Sequence, residues 1–225
     1  PDGQARIMKI LPRHTLLHRT DLLRQKLIAA NVTQVLIVIA SEPSFYEELL
    51  SRTLLAATHL NIKAGIIVNK ADLAGTTTVL EQIQPYVQLG YAALSLSTIT
   101  GEGIATLRDF LCDNTSVLIG QSGMGKSSII NLLLPEQAKI RTQEISTALD
   151  SGKHTTTHAK LYHLRTLSPT SHLIDLPGLQ EFGLLHLTQK DLEHAFIEFH
   201  PFLGQCRYHK DRKSTRLNSS HSRAS

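Results

Sequence analysis

Gly120-Gln121-Ser122-Gly123-Met124-Gly125-Lys126-Ser127 stands between an apolar run, Val117-Leu118-Ile119, and a segment of helical apolar spacing, Ser127 to Leu134. Strand, glycine-rich turn of the form G-x-x-x-x-G-K-[ST], then helix is the context in which this pattern binds phosphate. The glycines let the backbone wrap round phosphate oxygens, and amide groups of the turn and of the helix N-terminus point inward. Lys126 is thereby assigned to the β- and γ-phosphates and the Ser127 hydroxyl to Mg2+, with Ser128 completing the nucleotide-binding stretch.

Around this stretch the chain alternates strands and helices. Val35-Leu36-Ile37-Val38-Ile39-Ala40 is a continuous, mostly β-branched apolar run, the signature of a strand buried on both faces. Further strands are predicted at 66–68, 92–96, 117–119, 161–164 and 172–176, and helices at 44–60, 79–89, 104–111, 127–134 and 188–199. Pro85 predicts a kink or break in the second helix. The pattern argues an α/β fold, a mostly parallel sheet with helices on both faces. Residues 7–11 read as an isolated strand. The polar stretch 136–157 reads as a long functional loop.

Four more segments carry chemistry. Asn69-Lys70-Ala71-Asp72 ends a predicted strand and matches N-K-x-D. The Asp72 carboxylate can accept from N1–H and the 2-amino group of guanine; adenine lacks both donors, which disfavours ATP. Asp175-Leu176-Pro177-Gly178 matches D-x-x-G, placing a carboxylate near Mg2+ and the Gly178 amide near the γ-phosphate. The next residue is Leu179, where many small GTPases hold a glutamine that orients the attacking water. His154-Thr155-Thr156-Thr157 closes the long polar loop, and one of the three threonines is expected to complete the Mg2+ shell and sense the γ-phosphate. Ser97-Thr98-Ile99 is read as a source of backbone contacts to the base. The order is 69–72, 97–99, 120–127, 155–157, 175–178, the usual cycle of GTPase motifs cut open between the third and fourth elements. The chain therefore leaves the domain directly after the D-x-x-G turn.

The residues Ala30 to Val38, Asn69 to Leu73, Gly120 to Ser128, Gly152 to Thr157, Asp175 to Leu179 and Phe196-Ile197-Glu198-Phe199 together resemble the circularly permuted GTPases of the RsgA (YjeQ) type, small-ribosomal-subunit biogenesis factors. The resemblance covers about residues 6–210. It implies an N-terminal OB-fold, of which 1–20 would be the remnant, a permuted GTPase domain over 21–185, and a small zinc domain beginning at 186–210. It further implies GTP and GDP as ligands, slow hydrolysis stimulated by the small ribosomal subunit and its rRNA, and His154 standing in for the missing glutamine. The family pattern puts further zinc ligands at 211, 213 and 219, where this chain has Asp211, Lys213 and Ser219; with Cys206 alone in a ligand position, zinc is not expected in this chain.

Composition sets the remaining bounds. The chain has 225 residues, 41% hydrophobic and 19% charged, within the range of a globular protein, and no apolar run long enough to span a bilayer. The net charge of +4 lies mostly in residues 211–225, which carry +3, so the body makes a weak electrostatic case for RNA. Residues 211–221 read codon for codon as a translated sequencing adapter, so 211–225 is expected to be an artefact without packed structure. Two distant cysteines, Cys112 and Cys206, suggest a reducing cytoplasm, and a monomer is expected.

Overall fold

Residues 7–10, 12–21, 24–134, 159–176 and 187–205 are described by the structure, a computed structural model. The first elements are an antiparallel pair, β1 (Leu16–Asp21) and β2 (Arg24–Ala30). No strand forms over 7–10, which are exposed, and the pair runs across position 20–21. Leu17, 1% exposed, joins the apolar core of the rest of the chain, as do Ile28 and Ala29 at its margin.

The main sheet has six strands: β3 (Gln34–Ile39), β4 (Lys63–Val68), β5 (Ala92–Ser95), β6 (Thr115–Ile119), β7 (Lys160–His163) and β8 (His172–Asp175). Their order is β5-β4-β3-β6-β8-β7, parallel except for β7 at the edge. β3 is buried along its whole length, as its unbroken apolar run requires. Strand alternation sends Val35, Ile37 and Ile39 into one core and Leu36, Val38 and the following Ala40 into the other.

Helices cover both faces. α1 (Glu47–His59) and α2 (Thr76–Gln88) contribute Leu50, Leu54, Val79 and Ile83 to the first core. α3 (Ile104–Leu111) and α4 (Lys126–Leu133) contribute Leu107, Leu111, Ile129 and Ile130 to the second. Each such side chain fully withdrawn from water contributes about 1.5–3 kcal/mol. The cores are thus built from the same apolar runs that identified the strands.

Two local expectations are corrected. α2 continues through Pro85 without a break. The carbonyl that loses its donor is that of Glu81, on the same solvent-facing side, where water can satisfy it. The single helix expected over 188–199 is two pieces: α5 (Gln189–Ala195) and a 3-10 turn (Ile197–Phe202). α5 is started by a capping box in which Thr188 and Asp191 bond each other's backbone. Phe196 leaves the helical region at φ −79° and ψ 101°, and Pro201 cannot continue an α-helical ladder.

Candidate functional site: two loops at the switch point of the sheet

From β3 the chain builds outward through β4 and β5, then returns to the opposite side of β3 as β6. Such a reversal opens a crevice at the C-terminal strand ends, where open α/β sheets bind ligands. The loops after β3, β4, β5 and β6 and the end of β8 all lie at those ends.

The glycine-rich loop follows β6 at once and closes on α4. Gly125 holds φ at +90°, and a Cβ there would stand 2.1 Å from Asn69 Nδ2. At Gly120 a Cβ would stand 2.3 Å from the Val38 carbonyl oxygen. These two positions admit only glycine because neighbouring loops press against them. Lys126 is half-buried and donates from Nζ to the Gly120 and Gln121 carbonyls, the latter at 2.6 Å. Burial pushes its pKa below the ordinary lysine value, and the Asp175 carboxylate at the end of β8 partly offsets this. Ser127 and Ser128 are exposed on the first turn of α4, while Met124 is buried beneath the loop.

The N-K-x-D loop lies next to it. Asn69, 1% exposed, donates from its backbone N–H to the Ile39 carbonyl at 2.8 Å and from its side-chain Nδ2 to the Met124 carbonyl at 2.9 Å. One buried amide therefore joins the two motifs. Lys70 takes a left-handed turn at φ 62°; its carbonyl accepts from the Thr76 hydroxyl at 3.0 Å. The Ala71 amide donates to the Leu96 carbonyl at 3.0 Å, stitching this loop to the end of β5. Asp72 is exposed and accepts from the Ser97 hydroxyl at Oδ1.

Ser97 shows a role that sequence reasoning missed. The sequence pattern assigns it, together with Thr98, only backbone contacts to the base. Its side chain is fully buried, accepts the Ile99 and Thr100 amides at 3.2 Å each, and orients the Asp72 carboxylate. No spacing in the sequence announces that bond, because 25 residues separate the partners. The Ser41–Tyr46 loop was also missed: Lys70 Nζ donates to the Glu42 carbonyl at 2.5 Å, and the Tyr46 amide donates to Gln121 Oε1 at 2.8 Å. His154, Thr155, Thr156, Thr157, Gly178 and Leu179, like Cys206, lie outside the described residues. Asp175 is thus the one D-x-x-G member of the expected set that is placed, close enough for its charge to act on Lys126.

Together these features define a P-loop domain with a guanine-type N-K-x-D loop, its motifs in permuted order. A protein-family model described as RsgA GTPase matches residues 10–185, and the chain belongs to that family. It is 48% identical over 212 residues to the small ribosomal subunit biogenesis GTPase RsgA of Nitrosospira multiformis, covering 94% of this chain and 66% of that protein. It is 51% identical over 206 residues to the protein of the same description from Neisseria gonorrhoeae, covering 92% and 65%. The chain thus spans about two thirds of the length of these relatives, 65–66%. Among solved structures, YjeQ from Thermotoga maritima superposes with a TM-score of 0.65 at 26% identity, over 90% of this chain and 66% of that one. YloQ, described as a circularly permuted GTPase, shares the fold with a TM-score of 0.58 at 21% identity, over 92% and 71%.

Proposed function

We propose that the chain binds GTP and GDP, hydrolyses GTP slowly, and acts in late maturation of the small ribosomal subunit. The observation that carries the nucleotide reading is the Asn69–Met124 bond, which sets the guanine loop and the P-loop side by side at the switch point. The ribosomal reading is supported by the relatives, which are described as small ribosomal subunit biogenesis GTPases. A cytoplasmic location and contact with rRNA follow from that reading. Among the described residues no helix is long and apolar enough to cross a membrane.

In this reading Asp72, held by Ser97, accepts from the guanine edge, and the Gly120–Ser128 loop wraps the phosphates. Lys126 exchanges its own loop's carbonyls for phosphate oxygens, and the added negative charge counters the burial that lowers its pKa. The Ser127 hydroxyl, next to Lys126 in the chain, and the Asp175 carboxylate, whose charge acts on Lys126, are hard oxygen donors, a set that fits Mg2+ alongside phosphate oxygens, with one of Thr155, Thr156 and Thr157 adding to it. Mg2+ bound there would neutralise charge developing on the phosphates. Leu179 offers no hydrogen bond to an attacking water, so His154 is proposed to orient it. The same leucine supports a second reading, a nucleotide-dependent binding module with negligible turnover.

Single-turnover GTP hydrolysis, with and without small ribosomal subunits, separates the two. Stimulated turnover is expected, with His154→Ala retaining GTP affinity and losing about 100-fold of the stimulated rate. Turnover that subunits leave unchanged would favour the binding module, and a variant as fast as the parent would remove His154 from the chemistry.

A further inference from the structure

Gln121 is the second residue of the glycine-rich stretch, and two of its groups are engaged in different directions. Its backbone carbonyl accepts from Lys126 Nζ at 2.6 Å, while its side-chain Oε1 accepts from the Tyr46 amide at 2.8 Å. Tyr46 is the N-cap of α1 and has no side-chain cap of its own. The loop that ends there is held to the nucleotide motifs at two more points. Lys70 Nζ reaches the Glu42 carbonyl, and Pro43 lies 3.2 Å from where a Gly123 Cβ would stand. The loop after β3 therefore touches both the P-loop and the N-K-x-D loop.

α1 is firmly seated beyond that loop. Leu50 and Leu54 are buried in the core, and the Tyr86 hydroxyl of α2 bonds Ser51 (2.8 Å) and Glu47 (3.1 Å). α1 also packs against α5, which lies far along the chain after the D-x-x-G turn. The connection from the nucleotide loops to α5 thus runs through packed elements and does not need the backbone between Asp175 and Thr188.

We infer that Gln121 is a positioning residue that ties the P-loop to α1, so that filling of the nucleotide site is sensed at α5 whether GDP or GTP is bound. The inference rests on the proposed nucleotide site. When Lys126 turns from the Gln121 carbonyl to phosphate, the backbone of Gln121 is released while its side chain still holds Tyr46. The displacement is carried to the start of α1, and α1, rigid in its core contacts, carries it to α5. This route reports occupancy; the route through the D-x-x-G turn reports the γ-phosphate.

The test is hydrogen exchange of the α5 amides in the full chain: nucleotide-free, with saturating GDP, and with a non-hydrolysable GTP analogue. GDP and the analogue are both expected to change α5 exchange by about threefold or more, the scale of local opening. Gln121→Met keeps the volume and removes the acceptor. It is expected to weaken GDP binding by about three- to tenfold, the equivalent of one neutral hydrogen bond, and to abolish the α5 response at saturation. Gln121→Glu keeps an acceptor and should restore the response. The inference is overturned if GDP binds and α5 does not respond, if α5 responds to the analogue alone, or if Gln121→Met responds like the parent. A parent chain that binds no guanine nucleotide, by calorimetry, would instead remove the nucleotide reading beneath it.

Discussion

The guanine loop and the P-loop are neighbours at the strand ends, yet their charged side chains are held in opposite ways. The guanine loop is fixed by groups from outside itself: the Ser97 hydroxyl on Asp72, the Thr76 hydroxyl on the Lys70 carbonyl, and the Leu96 backbone carbonyl on the Ala71 amide. The P-loop has glycines where Val38 and Asn69 press in and outside bonds at Met124 and Gln121, but its one charged side chain bonds its own loop's carbonyls. In the proposed reading the base site is therefore organised before a ligand arrives, and the phosphate site must give up internal bonds as it fills. Binding at the first needs little rearrangement; binding at the second exchanges one set of partners for another, which suits a site that reports occupancy.

The largest expected effect falls on the phosphate side. Lys126 bonds loop carbonyls, feels the charge of Asp175 and packs into neither core, so Lys126→Ala should leave the melting temperature near that of the parent. It should nevertheless weaken GTP and GDP by more than about 3 kcal/mol, because several charge-assisted bonds to phosphate disappear together. Calorimetry on the folded variant checks this. Near-parent affinity would show that the lysine is not a phosphate ligand, and the contrast between the loops would collapse.

On the guanine side the expected loss is smaller and selective. Asp72→Asn should weaken GTP by about 2–4 kcal/mol, by losing a charged acceptor and leaving guanine donors unpaired. Xanthosine triphosphate, whose 2-oxo group suits an amide donor, should gain in relative affinity. A titration in which both nucleotides weaken equally would mean that Asp72 shapes the loop and does not read the base.

Ser97→Ala sharpens the same comparison one step further back. The hydroxyl is buried and serves Asp72 and two amides, so its removal should cost GTP affinity about five- to tenfold, near one hydrogen bond. Lys126 keeps its own bonds in that variant, so inorganic triphosphate should bind as it does to the parent. If triphosphate binding fell in parallel, the two loops would share a single framework and the base site could not be described as organised on its own.

How much of this was legible in the sequence follows from the physics of each contact. β3 could be read because burial on both faces demands an unbroken apolar run, and the P-loop because glycine is required where Val38 and Asn69 approach. The Ser97–Asp72 and Gln121–Tyr46 bonds could not, because a serine and a glutamine in loops satisfy many partners and nothing local selects one. The β1–β2 pair was missed for a related reason: its sequence, Leu16 to Ala30, lacks the turn chemistry and alternation that mark a hairpin. Pro85 misled in the other direction, since its cost depends on whether the orphaned carbonyl faces water.

The smallest expected effect lies at the opposite end of the sheet from the nucleotide loops. His163 of β7 stands directly across from His172 of β8, with Nδ1 atoms 3.1 Å apart and rings edge to face at 4.9 Å. Neutral rings can share one proton across that gap; two charged rings repel. Burial, and then the charge of His163, hold the His172 pKa below its ordinary value. With the folded pKa lowered, the unfolded chain binds more protons as pH falls through the unfolded value of about 6.5. Stability is therefore full above that pH and declines below it. The pair is largely solvated, so screening keeps the effect small, about 1–2 °C in melting temperature between pH 7.5 and 5.5. His172→Gln should flatten that part of the profile, and His163→Gln should flatten it in part. A parent and a His172→Gln variant that lose the same number of degrees over this range would show that the edge pairing of β7 does not feel the second proton.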